Sequence, residues 1–348
     1  MSNPIVTINL VVLNGEKYIR HCLDAVLAQT YPHELLEFNI LDNGSTDKTV
    51  ERITNYELRI KEKCAKFFLL KGKKNLGVWP GQEELLKYTE GKYVLALCVD
   101  VILDKDFIKN AVEAMEEDDK VGALQAKIYK YELSELSITN YVLRKEIIDT
   151  CGFEIFRSRR VTNIGHGQKD SSEFSVKKEI FAVEGAAPFF RREALEACRV
   201  GGKVIDHDFF WYGDDLDLAW RMRLLGWKEV FAPTVIAWHD RQTTKGLRKS
   251  WADFVRMRRE VPIKKRRLDW RNTRFTILKN DYTINILKDL PYMAKRELLL
   301  LGYMLFFEPE VLLEIPNFLV SFPKVMKKRS EVMKMAKLSP KEIRKWFK

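Results

Sequence analysis

The stretch Ile5-Val6-Thr7-Ile8-Asn9-Leu10-Val11-Val12-Leu13, followed by Asn14-Gly15 and then by Ile19, Cys22, Leu23, Val26 and Leu27, decides how the chain is read. Its first half is a short apolar run rich in β-branched residues, as in a strand covered on both faces. Its second half places apolar residues at helical spacing. The same unit then recurs. Apolar β-rich runs lie at 35–41, 66–71, 93–99 and 121–128, and helical patterns at about 16–29, 46–62, 80–89 and 104–117. Strands alternating with helices of this length predict βαβ units, hence an α/β fold with a mostly parallel central sheet flanked by helices.

From 131 to 182 the periodicity weakens, and Ser, Arg and Gly gather at 157–172, which reads as a surface loop. Order returns with Phe181-Ala182-Val183, a helix near 192–198, a helix at 214–225 and a strand near 228–236. The last hundred residues read as helical, basic and apolar in alternation, with Phe254, Met257 and Val261 on one face. Residues 241–348 carry 27 Lys and Arg against 11 Asp and Glu, whereas the first 240 carry 33 against 38. A slightly acidic domain, 1–240, is therefore followed by a basic helical extension, 241–348, and that asymmetry points to a polyanionic partner or an anionic membrane.

Composition excludes several classes. With 348 residues, 46% hydrophobic and 31% charged, the chain can bury a large core and is not disordered. Cysteines at 22, 64, 98, 151 and 198 are scattered and odd in number, which fits reduced thiols in the cytoplasm rather than a disulfide framework or a zinc site. The N-terminus has no basic region or cleavage site of a secretory signal. The longest nearly pure apolar run, Leu298–Phe307, is ten residues and is followed by Glu308-Pro309-Glu310. A spanning helix needs roughly 20 residues, so no transmembrane segment is expected.

In open α/β sheets ligands bind beyond the carboxyl ends of the strands. Three strand ends carry polar groups: Leu13-Asn14-Gly15, Asp42-Asn43-Gly44-Ser45-Thr46-Asp47, and Cys98-Val99-Asp100. Ser45 or Thr46 could cap the following helix and leave Asp42 free for a ligand. Asp100, where a buried strand meets solvent, suits a hard cation that bridges a carboxylate to phosphates. The densest cluster is Trp211-Tyr212-Gly213-Asp214-Asp215-Leu216-Asp217-Leu218-Ala219-Trp220-Arg221. Acids at a helix start gain from its dipole, but the interleaved apolar residues force some of them into a packed site, where a carboxylate can act as general base. His239, ending the strand near 228–236, is a candidate metal ligand.

These motifs resemble glycosyltransferase family 2, within the GT-A (Rossmann-like) fold, and rhamnosyltransferase-like members in particular. The resemblance rests on Val11-Val12-Leu13-Asn14 with Gln29-Thr30-Tyr31, Leu41 to Asp47, Asn75-Leu76-Gly77, Gly213 to Arg221 with Gly226-Trp227, and Trp238-His239. It implies an inverting transfer from a nucleotide-sugar donor, dTDP-rhamnose or a UDP-hexose, to a lipid-linked or polysaccharide hydroxyl, at the cytoplasmic face of a membrane. It also implies that Asp42 recognises the base, with Leu13, Asn14, Asn75, Val99 and Asp100 on the donor side. Asp100 and His239 would hold Mg2+ or Mn2+, Asp215 would be the base assisted by Asp214, and Gly185, Asp217 and Trp211 would lie on the acceptor side. One departure is Cys98, where the family's Asp-x-Asp motif has its first acid. It leaves open a catalytically silent relative serving as an assembly partner. A basic nucleic-acid-binding protein is the other alternative, but no recognition-helix or aromatic-basic signature is present, so nucleic acid is not expected as a partner.

Overall fold

The computed structural model describes residues 3–136, 143–241 and 251–348, without the side chains of Glu135 and of 251–254. The face expected of Phe254 and the first stretch of the basic extension, 242–250, thus lie outside the described residues.

Strand β1 (Val6–Val12) is buried along its whole length, as a strand covered by helices on both faces must be. Helix α1 (Ile19–Leu27) turns Ile19, Cys22, Leu23, Val26 and Leu27 inward. The alternation continues through β2 (Leu36–Asp42), α2 (Thr49–Lys63), β3 (Lys66–Lys71), α3 (Val78–Leu86), β4 (Tyr93–Cys98), β5 (Val101–Leu103), α4 (Phe107–Glu116) and β6 (Val121–Lys130). Then come β7 (Ile148–Thr150), β8 (Phe153–Ile155), β9 (Val161–Asn163), β10 (Lys178–Glu179), β11 (Phe189–Arg191), α5 (Arg192–Ala197), α6 (Asp214–Leu224) and β12 (Lys228–His239). The rest is helical: α7 (Trp251–Glu260), α8 (Ile263–Asn280), α9 (Thr283–Phe307), α10 (Pro309–Leu312), α11 (Ile315–Met335) and α12 (Pro340–Arg344).

The main sheet runs β10-β12-β6-β11-β4-β1-β2-β3, with β5 added to β12 and β7 to β6. Its long ladders, β4-β1-β2-β3 and β6-β12, are parallel. The short strands β5, β7, β10 and β11 pair antiparallel. The mostly parallel sheet flanked by helices expected from the sequence is therefore present. The short antiparallel strands, two or three residues each, carry too little periodicity to be read.

This register sets the site. Val12 pairs with Asp42, and Val11 with Cys98. The parallel strands thus bring Leu13-Asn14, Asp42-Asn43 and Val99-Asp100 to one edge. In the antiparallel pairing of β12 with β5, His239 faces Val101, next to Asp100.

The C-terminal helices are packed against this body. Ile277 of α8, Val332 of α11, Ile343 of α12 and Phe347 share a hydrophobic core with Leu216, Ala219, Trp220 and Leu224 of α6 and with Ile155 and Phe181. Burying each large side chain of this kind is worth about 1.5–3 kcal/mol. The 157–172 segment is not wholly the surface loop expected. Arg159, at φ 61° in the turn between β8 and β9, is 1% exposed. It bonds Asp281 at 2.7 Å and Asp289 at 2.9 Å and stacks on Phe347. An arginine in a Ser/Arg-rich stretch reads as solvated, and only its two acidic partners, over 120 residues away, make it a core residue.

Candidate active site

The donor-side residues form one hydrogen-bonded edge. Asn14, at φ 50°, donates its backbone N–H to Ser45 Oγ at 2.9 Å and accepts from Thr46 N–H on Oδ1 at 2.8 Å. Ser45 and Thr46 therefore tie two strand-end loops together instead of capping α2 as expected; α2 has no side-chain cap. Asp42, 4% exposed, accepts from Ser45 N–H at 3.1 Å. Asn43 holds the Asn75-Leu76-Gly77 turn: its Nδ2 donates to Asn75 Oδ1 and to the Gly77 carbonyl, both at 3.1 Å, and its Oδ1 accepts from Leu76 N–H at 2.9 Å. Leu13 is exposed on the same edge, and Val99 is half-buried between Cys98 and Asp100.

Asp100 and His239 meet as the β5–β12 pairing requires, with His239 Nε2 at 3.5 Å from Asp100 Oδ2. The other ring nitrogen, Nδ1, lies 2.9 Å from Asp149 Oδ2. Burial opposes charge on this imidazole, but Asp100 and Asp149 on either side overcome it and push its pKa up to about 10. Asp149 is wholly buried. Burial works against its charge too, yet the bond from His239 and the fork of Arg241, at 2.8 Å to each oxygen, hold it well below the usual carboxylate range. Arg241 also donates to Glu184 Oε1 at 2.8 Å.

Once the proton on Nε2 is given up, this pair could hold a divalent cation. Two adjacent ligands of an octahedral ion at about 2.1 Å lie about 3 Å apart, close to the observed separation, and a metal-binding imidazole ordinarily has its second nitrogen fixed by a carboxylate. Among the described residues no three His, Cys, Asp or Glu side chains cluster to hold a metal, so phosphate and water would complete the shell. Cys98 supplies no thiolate: burial pushes its pKa well up, and its Sγ–H donates to the Gly185 carbonyl at 3.6 Å.

Helix α6 opens with three acids in three environments. Asp214 is 2% exposed, and neither of its carboxylate oxygens has a hydrogen-bond partner among the described residues. Burial, then the neighbouring Asp215 and Asp217, push its pKa well up. Asp215 is half-buried. Burial and then Glu184 raise it to about 6, against the N–H groups of Leu216 and Gly185, which leaves it mostly ionised at neutral pH. A Cβ at Gly185 would sit 3.0 Å from Asp215 Oδ2, so that turn passes close against the carboxylate. Asp217, placed on the acceptor side by the sequence reading, is wholly buried. Its Oδ1 accepts from Asn280 at 2.7 Å and its Oδ2 from Lys279 at 2.8 Å and Arg221 at 3.1 Å. These bonds occupy the carboxylate and make it an internal tie. Trp211 is 36% exposed and packs its ring 4.6 Å from that of Tyr212.

The loop leading into α6 is strained. Phe210, Tyr212 and Gly213 have φ of 62°, 68° and 81°, and each non-glycine residue there costs on the order of 1–3 kcal/mol. Asn272 of α8, wholly buried, offsets this by donating Nδ2 to the carbonyls of Phe209, Trp211 and Tyr212 at 3.0, 2.9 and 2.7 Å. On the other side, Gly77 lies so close to the Phe210 carbonyl that a Cβ would come within 2.2 Å. Sequence reasoning missed Asp149, Glu184, Arg241 and Asn272. One signal was available for the last: Asn272, Lys279 and Asn280 repeat at helical spacing beside Phe275 and Thr276, a polar stripe on an inward face.

Comparison with known proteins identifies the family and the fold. The family model for glycosyl transferase family 2 matches residues 7–198. An uncharacterized glycosyltransferase of Haemophilus influenzae is 30% identical over 124 residues, 35% of this chain and 36% of that protein. A dolichyl N-acetyl-alpha-D-glucosaminyl phosphate 3-beta-D-2,3-diacetamido-2,3-dideoxy-beta-D-glucuronosyltransferase of Methanococcus voltae is 29% identical over 143 residues, 39% of this chain and 44% of that protein. The matched region thus spans less than half the length of these relatives. The solved mannosyltransferase of Pyrobaculum calidifontis, in complex with GDP-Man and Mn2+, superposes with a TM-score of 0.54 at 17% identity, covering 99% of this chain and 84% of that one. It shows the shared GT-A fold. With the family model spanning more than half its length, the chain belongs to glycosyltransferase family 2.

Proposed function

We propose that the chain transfers a sugar from a nucleoside-diphosphate donor to a hydroxyl of a lipid-linked or polysaccharide acceptor, with inversion. The observation that carries this reading is Asp215: a half-buried carboxylate of raised pKa, beside the buried Asp214 and against Gly185, in a chain whose strand-end loops carry Asp42 and Asp100. Asp215 takes the acceptor hydroxyl proton as that oxygen attacks the anomeric carbon, and the bond to the departing diphosphate breaks on the opposite face. Asp42, Leu13, Asn14, Asn75 and Val99 line the donor side, and Gly185 and Trp211 the acceptor side. Asp100 and His239 would hold Mg2+ or Mn2+, which when bound offsets the charge on the leaving diphosphate. A dTDP-rhamnose or UDP-hexose donor accords with the motif set, and the GDP-Man in the solved neighbour extends the donors worth testing to GDP-sugars.

The reading includes a place of work, the inner face of the cell membrane. None of the described helices is long and apolar enough to cross a membrane. Yet α9 and α11 expose Leu298, Leu299, Phe306, Leu319 and Val320, all at least 61% accessible, beside the exposed Lys288, Lys295, Lys324 and Lys327. An apolar face bordered by lysines suits an anionic bilayer surface.

The test is calorimetric titration of the folded protein with UDP, dTDP and GDP, each with and without Mg2+ or Mn2+. Metal-dependent binding of one nucleotide is expected and names the donor class. Folded protein that binds none of them under either condition overturns the transferase reading.

A further inference from the structure

Among the described residues three lysines are at least nine-tenths buried, and two of them have carboxylates: Lys127 bonds Asp170 at 3.0 Å, and Lys279 bonds Asp206 at 2.6 Å and Asp217 at 2.8 Å. The third, Lys265 in the first turn of α8, is 7% exposed. It makes no hydrogen bond or ion pair among the described residues. Its ammonium instead lies 3.9 Å from the centre of the Tyr212 ring and 5.9 Å from that of Trp211.

Among the described residues, the surroundings leave that charge uncompensated. Lys264 places its own ammonium 4.8 Å over Phe210, on the same loop. Arg241 and Arg258 repel Lys265, and among the described residues the acid that attracts it, Asp269, already lies 3.4 Å from Arg258. Burial, the largest effect, drives the lysine down to about 7. A desolvated cation without a counter-charge is unfavourable unless something supplies one. Aromatic rings offset part of the cost by cation–π attraction, but they add no negative charge. Trp211 and Tyr212 belong to the loop that runs into Asp214 and Asp215, so whatever meets Lys265 there is close in the chain to the base.

We propose that Lys265, walled by Trp211 and Tyr212, forms a subsite for a phosphate-type oxyanion of the substrate. This rests on the transferase reading above, and it narrows the substrates to ones that present a phosphate at this wall. The phosphate has two sources: a phosphate carried by the acceptor near the accepting hydroxyl, or the diphosphate of the donor.

Calorimetry on the full chain separates them, using glycerol 3-phosphate as the probe of an acceptor phosphate. It is titrated into the free protein and into protein saturated with Mg2+ and the nucleoside diphosphate that binds. Wild type, Lys265→Met and Lys265→Arg are compared, each checked for an unchanged melting profile. Glycerol 3-phosphate binding to the nucleotide complex, weakened at least about tenfold in Lys265→Met and retained in Lys265→Arg, supports an acceptor phosphate. Competition between the two ligands, with nucleotide affinity lost in Lys265→Met, assigns the site to the donor diphosphate. If Lys265→Met binds both probes as wild type does, or if wild type binds neither of them, the subsite is wrong. Wild type that binds glycerol 3-phosphate through Lys265 but no nucleotide would keep the subsite and remove the transferase reading.

Discussion

Asn272 donates its side-chain N–H to the carbonyl of Tyr212 at 2.7 Å, so a helix of the basic C-terminal region fixes the residue two places before Asp214. The same amide serves Phe209 and Trp211, and two further α8 residues, Lys279 and Asn280, hold Asp217. Helix α8 is thus part of the machinery that aims the start of α6. Asn272→Ala is expected to lower kcat about a hundredfold by misplacing Asp215, while nucleotide affinity changes by less than about threefold. Asn272→Asp keeps the volume and removes the donors, and should behave the same way. Both variants should also melt lower, since buried carbonyls left without partners cost about 1–3 kcal/mol. Wild-type kcat in both would show that the loop needs no clamp.

Asp215→Asn should reduce transfer by at least about 10²–10⁴, the usual contribution of a general base, with donor binding retained. The pH dependence follows from the sign of its shift. A base must be ionised, and burial with Glu184 raises Asp215 to about 6. The kcat/KM of the wild type should therefore fall as pH drops below about 6 and be flat just above it. Stability moves the other way. A carboxyl whose folded pKa is raised stabilises the fold below its unfolded value of 3.8, and that contribution is lost as pH rises through about 6. Asp215→Asn should consequently melt no lower than wild type at pH 7. An acid limb that persists unchanged in a residually active Asp215→Asn would assign it to another group.

Much of this site was legible in the sequence because its parts are local. The βα periods of the first 130 residues placed Leu13, Asp42 and Asp100 at strand ends, and the parallel register of Val12 with Asp42 brought them to one edge. His239 could be named as a candidate ligand from its strand end. What could not be read was pairing at long range. Strand β5 has three residues, too few for a pattern, yet its antiparallel pairing with β12 is what sets His239 beside Asp100. Asp149, 90 residues from His239, lies where the periodicity fades. Asp217 misled because an acid next to Asp214 and Asp215 looks like part of one cluster. Helical geometry turns it toward Lys279 and Asn280 instead.

Asp149 acts on the candidate metal pair through His239. Its hydrogen bond fixes which imidazole nitrogen faces Asp100, and Arg241 fixes Asp149 in turn. Asp149→Asn should weaken Mn2+ binding about 10–100-fold, read as free Mn2+ by electron paramagnetic resonance. Nucleotide binding measured without metal should stay as in wild type. His239→Ala should weaken Mn2+ at least as much. Unchanged Mn2+ affinity in both variants would place the metal elsewhere.

Asp217 gives a prediction of stability alone. It is the shared counter-charge of Lys279 and Arg221, both nearly fully buried. Removing one partner of such a cluster leaves charge uncompensated, at a cost of about 3–5 kcal/mol. Asp217→Ala should shift the urea midpoint accordingly, whereas Glu51→Ala, an exposed acid on α2, should leave it in place. An equal midpoint for both would mean that water or a neighbouring acid takes over from Asp217.

The apolar face of the C-terminal helices sets the last prediction. Leu298, Leu299, Leu305 and Phe306 lie on one side of α9, Leu319 and Val320 on α11, and Leu313 in the connection between them, with exposures of 69, 66, 54, 82, 61, 82 and 64%. The flanking lysines would each add about 1 kcal/mol at an anionic surface, and insertion of the apolar side chains supplies the part that salt does not screen. The full chain should therefore float with vesicles rich in phosphatidylglycerol and much less with phosphatidylcholine alone. Leu298→Glu, Phe306→Glu and Val320→Glu combined should abolish flotation and leave nucleotide binding intact, because none of the three packs into the core. Replacing Lys288, Lys295, Lys324 and Lys327 with Gln should weaken flotation and make it insensitive to salt. Flotation of the triple glutamate variant at the wild-type level would mean that this face meets a protein or another copy of the chain rather than lipid, and cross-linking of the wild type in solution would then decide between those two.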